Sequence, residues 1–389
     1  MGLPSWLAAC VDFFKGKTSE KKASVNEVPL APFVPSETPT EQNLPVAINP
    51  TTDQPKTVNP DLSLPAWFQG EIPTELLRLA RAHCEERVHH QIFADWAERY
   101  GGEEGQLVCR FFRRDEVLRH DASTWQTLSA LEARLVAPFS DLVLGIGDRV
   151  ELPLTEKQNI TMAWVPPGQI WLRGGGKKKS TQEFTLEKGL WCGIYPVTQE
   201  QWQAVMGNNP IRFQCMPNNP VEKVSYYHVE DFLHKVNAAN SRTGFLYGLP
   251  TADEWEYILR GGPISKTQSE YHYYFASSKT DLTSVASNDL SSTQANFNGN
   301  YPAGSGKKGP FLETTSAVGN YLPNPLGTYD MHGNVYELTF TKKGSDRVIC
   351  GGGWLSLGDY CKASIRRGNV PGSRGSDLGF RVLAVPVGG

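Results

Sequence analysis

The spacing of apolar residues predicts helices in the first part of the chain. Between residues 64 and 136, the run PTELLRLARAHCEERVHHQIFADWAERYGG places apolar side chains at helical intervals, and STWQTLSALEARLV does so again. Thr74 and Ser123 are positioned to cap two of these helices, and Gly101 follows the other as a stop signal. We therefore predict a small helical domain over residues 67–150.

From about residue 160, the pattern changes to short apolar segments separated by Gly, Pro and Asn, which is typical of strands joined by many loops. Three helical runs interrupt it, and Glu254 in the last of them completes a capping box. These runs and their caps are TQEQWQAVMG with Thr198, SYYHVEDFLHKVNAAN with Ser225 and TADEWEYILRGG with Thr251. The predicted fold class is α+β, loop-rich, with the small helical domain at its N-terminal side.

The stretch before the helical domain is rich in Pro, Thr, Ser and Asn and has few apolar residues to bury. Such a composition cannot offset the entropy lost on ordering, so we predict a linker. The predicted domain organisation is an N-terminal segment over residues 1–17, a Pro-rich linker over 18–66, the helical domain over 67–150 and a larger domain over 155–389. We expect the helical module to dock another protein.

The composition describes a globular chain, with 39% hydrophobic and 20% charged residues among 389. A net charge of −3 offers no positive field for a phosphate backbone, so we expect no nucleic-acid partner. The sequence has no apolar run long enough to predict a membrane span. The localisation that we expect is cytoplasmic.

The seven cysteines include no CxxC pair, which predicts reduced thiols rather than a disulfide framework or a zinc ribbon. His83, Cys84, His89 and His90 lie close together in the sequence, but their spacing matches no zinc pattern. We expect them to be ordinary surface residues of the helical domain.

Six motifs in order give the larger domain a family resemblance. They are MAWVPPGQIWLRG, YPVTQEQWQAVMG, NPVEKVSYYHVEDFLHKVN, YGLPTADEWEYILRGG, NPLGTYDMHGNVYELT and the segment from GGGWLSLGDYC to GSDLGFRV. Together they resemble the sulfatase-modifying factor, or formylglycine-generating enzyme, superfamily over about residues 160–385. The resemblance implies a variant of the C-type lectin fold.

The oxidases of this superfamily hold Cu(I) between two cysteines five residues apart, because soft thiolates suit that ion. Laid on this chain, the resemblance places Cys361 at the second position and Ser356 at the first. A hydroxyl is a hard, weak ligand for Cu(I), so the chain is predicted not to be an enzyme. The alternative is a copper-dependent formylglycine-generating oxidase or a divergent enzyme like the sulfatase-modifying factors.

The resemblance also implies two calcium sites. One site is partly lost, since its acidic position coincides with the turn at Lys307. The other retains oxygen ligands at Asn334 and Glu337, where a calcium ion or a hydrogen-bonded structural Asn are alternatives. No other cofactor is expected.

Residues 351–382, which we name the variable segment, resemble the diversified C-terminal region in a third branch of the superfamily, the variable proteins of diversity-generating retroelements. There, randomised NNC codons encode every residue except Lys, Gln, Glu, Met and Trp. The thirteen predicted variable, ligand-binding positions contain none of these five types, an absence expected by chance in about one case in twenty. They are Leu355, Ser356, Leu357, Tyr360, Ile365, Arg367, Gly368, Asn369, Val370, Ser373, Gly375, Ser376 and Asp377.

The remaining positions of the variable segment are expected to hold its backbone. Trp354, Arg366, Arg374 and Phe380 are the predicted structural residues, the two arginines as candidates for buried pairing. The predicted function is therefore non-catalytic ligand binding by an exchangeable surface. The expected ligand is a protein, with a glycan or an undiversified interaction scaffold as alternatives.

Overall fold

The computed structural model describes residues 46–48, 127–128, 133, 144–173, 181–213 and 216–386. The predicted segment 1–17, most of the helical domain and the His83–His90 group lie outside these residues. Within the predicted helix STWQTLSALEARLV, Thr127 and Leu128 form a strand, so the helix prediction is wrong at these two positions. Their backbone pairs with Arg149 and Val150, and this tertiary pairing overrides the local helical pattern. Across the part of the chain that is described, no helix is long and apolar enough to cross a membrane.

The three predicted helices are confirmed, together with their caps. They are α1 (Gln199–Met206), α2 (Tyr226–Ala239) and α3 (Ala252–Arg260). Each begins with a capping box, in which the N-cap hydroxyl accepts from the third helical N–H and that residue's side chain accepts from the N-cap N–H. Gly207 and Gly261 end α1 and α3 in the left-handed conformation, as the sequence predicts for the latter.

The larger of two main sheets has six strands. They are β2 (Thr127–Leu128), β3 (Arg149–Pro153), β4 (Asn159–Val165), β7 (Leu190–Gly193), β8 (Phe245–Gly248) and β15 (Leu383–Pro386). Their order is β2-β3-β4-β7-β15-β8, antiparallel except for the β2–β3 pair. The sheet therefore extends to the N-terminal side of the predicted boundary at residue 155, and the last strand of the chain lies inside it.

The second main sheet has four strands and carries the variable segment. They are β11 (Tyr336–Lys343), β12 (Asp346–Cys350), β13 (Arg366–Asn369) and β14 (Leu378–Gly379), in the order β13-β12-β11-β14. β11 and β14 run parallel, and the other pairs are antiparallel.

Two smaller strand groups complete the fold. β5 (Gly168–Arg173) pairs with β6 (Thr181–Leu186), while β9 (Tyr273–Ala276), β10 (Ser284–Ser287) and β1 (Val46–Ile48) form a three-stranded sheet. β1 belongs to the predicted linker and pairs antiparallel with β10. At least these three linker residues thus lie against the larger domain. Across residues 144–386, as far as the structure describes them, α1, α2 and α3 lie among many short strands, and the α+β, loop-rich class is confirmed.

Aromatic side chains fill the space between the elements. Trp202 of α1 stacks on Phe232 of α2 with ring centroids 5.5 Å apart, and Phe380 meets both rings edge-on. On α3, Trp255 and Tyr257 are fully buried in a second cluster. Burial of such large apolar surfaces is the main favourable term in the folding of a domain of this kind.

A buried ion pair joins the two main sheets. The guanidinium of Arg381 donates to both Glu337 carboxylate oxygens over 2.6 and 2.7 Å, and also to the Gly193 and Tyr329 carbonyls. The Trp255 indole N–H donates to the same carboxylate over 2.6 Å. Because both charges are removed from water, loss of either partner would leave a buried unpaired charge.

The sequence pattern predicts one terminal strand beginning at Gly379, with Phe380 and Val382 on one face. The structure corrects this: β14 ends at Gly379 and β15 begins at Leu383, in the other sheet. The alternation is still present, since Phe380 and Val382 are buried in the same core cluster while Arg381 reaches Glu337. The strand is interrupted because its residues cross from one sheet to the other.

Candidate binding face

The variable segment is held at both ends by the four-stranded sheet. It leaves β12 after Cys350, forms a short 3-10 helix at Gly358–Cys361 and returns as β13, antiparallel to β12. Residues 370–377 then cross to the opposite edge of the sheet, where β14 pairs with β11. The exposed residues of the variable segment are thus held in place by the pairing of β13 with β12 and of β14 with β11.

Two glycines at the start of the variable segment allow a close approach that no other residue could make. Gly351 and Gly352 have φ values of 93° and 76°, in the left-handed region. A Cβ atom at Gly352 would lie 2.6 Å from the Cys361 sulfur. The backbone therefore packs directly onto Cys361.

Trp354 ties the start of the variable segment to its end. It is 4% exposed, and its indole N–H donates to the Ser376 carbonyl over 2.9 Å. Its ring meets Phe213 edge-on at 5.5 Å and stacks on Phe311 at 6.2 Å. Phe380, near the end of the variable segment, is fully buried against Trp202 and Phe232.

The two predicted structural arginines lie in different environments. Arg366 points from β13 towards α3, where it forms ion pairs with Asp253 over 2.6 Å and Glu256 over 2.9 Å. Arg374 is exposed on the loop before β14, and nothing in its surroundings indicates buried pairing. Only Arg366 therefore has the contacts of a side chain that holds the segment.

Twelve of the thirteen predicted variable side chains reach the surface at least in part, and we name this set the variable face. Five of them are exposed, namely Leu355, Arg367, Gly368, Val370 and Ser373. Seven are half-buried, namely Leu357, Tyr360, Ile365, Asn369, Gly375, Ser376 and Asp377.

Ser356 is the exception, because the structure places it beneath the variable face. It is 7% exposed, its hydroxyl accepts from the Gly353 N–H over 2.9 Å, and its own N–H donates to the Gly353 carbonyl. A serine three residues after a glycine in a tight turn commonly makes such local bonds. That spacing was the available signal that Ser356 is a turn residue rather than a contact residue.

Arg367 of the variable face contacts two tyrosines, Tyr360 on the face and the buried Tyr336. The Arg367 guanidinium lies over the Tyr360 ring, 5.1 Å from its centroid, and donates to the Tyr336 hydroxyl over 3.3 Å. The hydrogen bond with Tyr336 raises the pKa of Arg367, and burial raises the pKa of Tyr336. Arg367 is therefore a fixed positive charge on an aromatic base.

Tyr336 was missed by the sequence reasoning because it lies on β11, outside the variable segment. Its N–H donates to the Asp377 carbonyl over 2.6 Å, so it contacts the segment through backbone as well as side chain. Asp377 itself is half-buried, and burial raises the pKa of its carboxyl group. Only the pairing of β11 with β14 brings these residues together, and no sequence pattern predicts that pairing.

The residues at the copper positions do not fit a copper site. Burial raises the pKa of the fully buried Cys361 thiol, which disfavours the thiolate that Cu(I) requires. Its Sγ faces the Leu357 carbonyl, and the Ser356 hydroxyl is engaged by Gly353. From the sequence, Cys361 is in phase with Ala363 and Ile365, which predicts a buried small hydrophobic residue on a strand. It is buried, but it lies in a 3-10 helix, so the strand prediction is wrong.

The predicted calcium ligands are likewise engaged by protein groups. The Asn334 side-chain oxygen accepts from Asn296 and from the Ser316 N–H. Both Glu337 oxygens face the Arg381 guanidinium, which would repel a cation. Asn334 and Glu337 therefore do not fit a shared calcium site, and the described residues contain no cluster of three or more His, Cys, Asp or Glu side chains placed to hold a metal.

Comparison with known proteins gives one family match and several relatives. A family model described as the sulfatase-modifying factor enzyme 1-like domain matches residues 150–385. The chaperone protein LppX of Paenibacillus barcinonensis is 26% identical over 55% of this chain and 88% of its own length. The inactive C-alpha-formylglycine-generating enzyme 2 of Mus musculus is 31% identical over 34% of this chain.

The chain spans only 41% of that mouse relative's length. Among solved structures, Treponema denticola variable protein 1 is similar over 61% of this chain and 98% of its own, at 24% identity and a TM-score of 0.46.

Proposed function

Because the chain belongs to the sulfatase-modifying factor enzyme 1-like domain family, we propose that it uses the scaffold of that family for non-catalytic binding of a protein ligand. The ligand contacts the variable face, and the buried residues beneath hold the backbone. A relative named as an inactive formylglycine-generating enzyme provides a precedent for loss of the oxidase chemistry on this scaffold.

One observation carries this proposal. Twelve of the thirteen residues that sequence reasoning assigned to the variable face reach the surface, while Trp354 and Phe380 beneath them are buried. Substitution on the variable face therefore costs little core packing. A rigid scaffold that carries exchangeable surface residues is the arrangement that diversified binding proteins require.

Selection from a library tests the binding function directly. The twelve residues of the variable face are randomised with NNC codons, with Ser356 kept, and the library is displayed on phage and selected against lysozyme. We expect clones that bind lysozyme with micromolar or better affinity and lose binding when their natural residues are restored. A library that yields no binder above the parent chain would contradict the proposal.

The oxidase alternative predicts tight Cu(I) binding and oxidation of a cysteine-containing peptide, whereas the binding function predicts neither. We expect no tight Cu(I) binding in a competition titration with a chelator, since Ser356 stands at the other copper position and supplies no thiolate. We also expect no oxidation of a cysteine-containing peptide, with Cys361→Ser as the matched control. Stoichiometric Cu(I) binding that is lost in this variant would favour the enzyme.

A further inference from the structure

Exposed apolar residues are concentrated around the variable segment. Seven large hydrophobic side chains are exposed among the described residues, namely Met216, Tyr227, Tyr301, Leu312, Leu322, Leu355 and Val370. Leu355 and Val370 belong to the variable face. Tyr227, Tyr301 and Leu312 lie outside the variable segment in sequence, and each is in contact with it or next in the chain to a residue that is. A single exposed apolar residue needs no explanation, but a group around one segment marks a candidate contact surface.

Tyr301 lies beside the first half of the variable segment. Its carbonyl accepts from the Gly358 N–H over 2.9 Å, and its N–H donates to the Asn298 carbonyl. The Asn298 N–H in turn donates to the Ser356 carbonyl over 2.9 Å. The backbone of Tyr301 is therefore fixed against the segment, while its side chain is 52% exposed.

Tyr227 lies beside the second half of the variable segment. It is the second residue of α2, and the N–H of its neighbour Tyr226 donates to the Pro371 carbonyl over 2.9 Å. Its ring lies 3.8 Å from where a Cβ of Gly372 would stand, and the side chain is 57% exposed. Helix and loop together hold this tyrosine beside Pro371 and Gly372 of the variable segment.

Leu312 extends the apolar surface on the side of Trp354. It follows Phe311, whose ring stacks on Trp354, and Trp354 precedes the exposed Leu355. Leu312 is itself 45% exposed. Exposed tyrosines from two other parts of the chain, Tyr227 and Tyr301, thus lie against the variable segment.

We propose that Tyr227 and Tyr301 are constant anchors of the binding face, which contact the protein ligand whichever residues occupy the variable positions. This inference rests on the proposed function. Tyrosine provides a large contact area with little loss of conformational entropy and is enriched among the residues that dominate binding energy. Randomised NNC codons cannot encode Trp or Met, so anchors outside the variable positions supply apolar contact that no reshuffling removes.

The chemistry of the surface favours a protein over a glycan as the occupant. Leu355 and Val370 add exposed aliphatic side chains to the variable face itself, and such side chains gain most from burial against another apolar surface. The Arg367 guanidinium adds a charged donor suited to a carboxylate or a carbonyl of the partner. The expected ligand surface is therefore apolar at its centre with acidic groups nearby.

Two parallel libraries test the anchors. The twelve variable positions are randomised on the natural scaffold and on a Tyr227→Ala/Tyr301→Ala scaffold, and both are selected against lysozyme. We expect the best clones of the alanine library to bind at least ~10-fold more weakly. Equal affinities from the two libraries would overturn the anchor assignment and leave the proposed function intact, whereas no binder from either library would overturn both.

Matched variants separate contact from stability. Individual clones from the natural scaffold receive Tyr227→Ala, Tyr301→Ala, the Tyr→Phe changes that keep most of the area, or Leu322→Ala. Leu322 is also exposed but lines a small cavity with Phe275 and Asp330. We expect weaker lysozyme binding only for the tyrosine-to-alanine variants, at unchanged melting temperature. Equal loss in Leu322→Ala would overturn the assignment.

A glycan array probed with the natural chain tests the class of ligand. We expect no binding to the array that depends on the tyrosines. Binding to a glycan that disappears in the double alanine variant would overturn the assignment to a protein ligand.

Discussion

At the scale of single residues, Leu355 and Ser356 are neighbours in opposite environments. The leucine is 45% exposed, whereas the serine is 7% exposed and hydrogen-bonded to Gly353. Both are among the thirteen positions predicted from the sequence to be variable, because composition alone does not distinguish an exposed loop residue from a turn residue. The side chain of Ser356 is used to hold the turn on which Leu355 is presented.

This difference predicts unequal costs of substitution. Ser356→Ala leaves the buried Gly353 N–H without its acceptor, so we expect a loss of about 1–3 kcal/mol in the free energy of unfolding. Leu355→Ala should change it by less than about 0.5 kcal/mol. Urea unfolding of both variants checks the prediction, and equal losses would place Leu355 inside the core.

His332 is a buried residue whose ionisation the structure constrains. Its Nε2 accepts from the Tyr274 N–H over 3.1 Å, so its Nδ1 must carry the proton that is donated to the Cys361 carbonyl. Burial, the larger effect, lowers the pKa of His332 to about 4, and the nearby Arg260 acts in the same direction. His332 thus supports the 3-10 helix of the variable segment as a neutral side chain.

The pKa of His332 predicts a pH dependence with a definite sign. An unfolded histidine takes up a proton near pH 6.5, before the folded one does, so stability falls as the pH drops from about 6.5 to 4. NMR of 15N-labelled histidine should show an unprotonated Nε2 at pH 5 and titration near pH 4. Titration of His332 near pH 6.5 would contradict its buried, neutral role.

At the scale of elements, the first two residues of β13 have opposite roles. Arg366 points towards Asp253 and Glu256 of α3, and the next residue, Arg367, lies on the variable face. The alternation follows from the two-residue period of a strand. The helices were predictable to the residue because their caps are local signals, whereas the assignment of each arginine needed the position of α3.

Paired substitutions on β13 test this alternation. Arg366→Ala leaves the fully buried Glu256 with only Arg260 as its partner, so we expect a clear fall in melting temperature. Arg367→Ala should leave the melting temperature nearly unchanged, since its side chain is exposed. Thermal unfolding followed by circular dichroism compares them, and a larger loss for Arg367→Ala would reverse the assignment of the two faces.

At the scale of the whole molecule, the pairing of distant strands determines contacts that the sequence alone does not predict. The family motifs predict the α+β fold and its order of elements, but not that the last strand lies between β7 and β8. Nor do they predict that Arg381 forms an ion pair with the Glu337 carboxylate. These contacts join residues 44 or more positions apart, so no local pattern encodes them.

The Glu337–Arg381 pair predicts that calcium does not stabilise the fold through this site. We expect the melting temperature to be the same in excess Ca²⁺ and in EGTA, because the carboxylate is already neutralised by a buried cation. Glu337→Gln should lower stability by about 3–5 kcal/mol in either buffer. A rise in melting temperature with Ca²⁺ that Glu337→Gln abolishes would restore the calcium site.

The central claim is that this scaffold tolerates wholesale replacement of its variable face. The most direct measurement is the fraction of folded members in a display library randomised at those twelve positions, scored by resistance to protease across increasing urea. We expect most members to unfold within about 1 M urea of the natural chain. A library in which most members are cleaved without urea would contradict it.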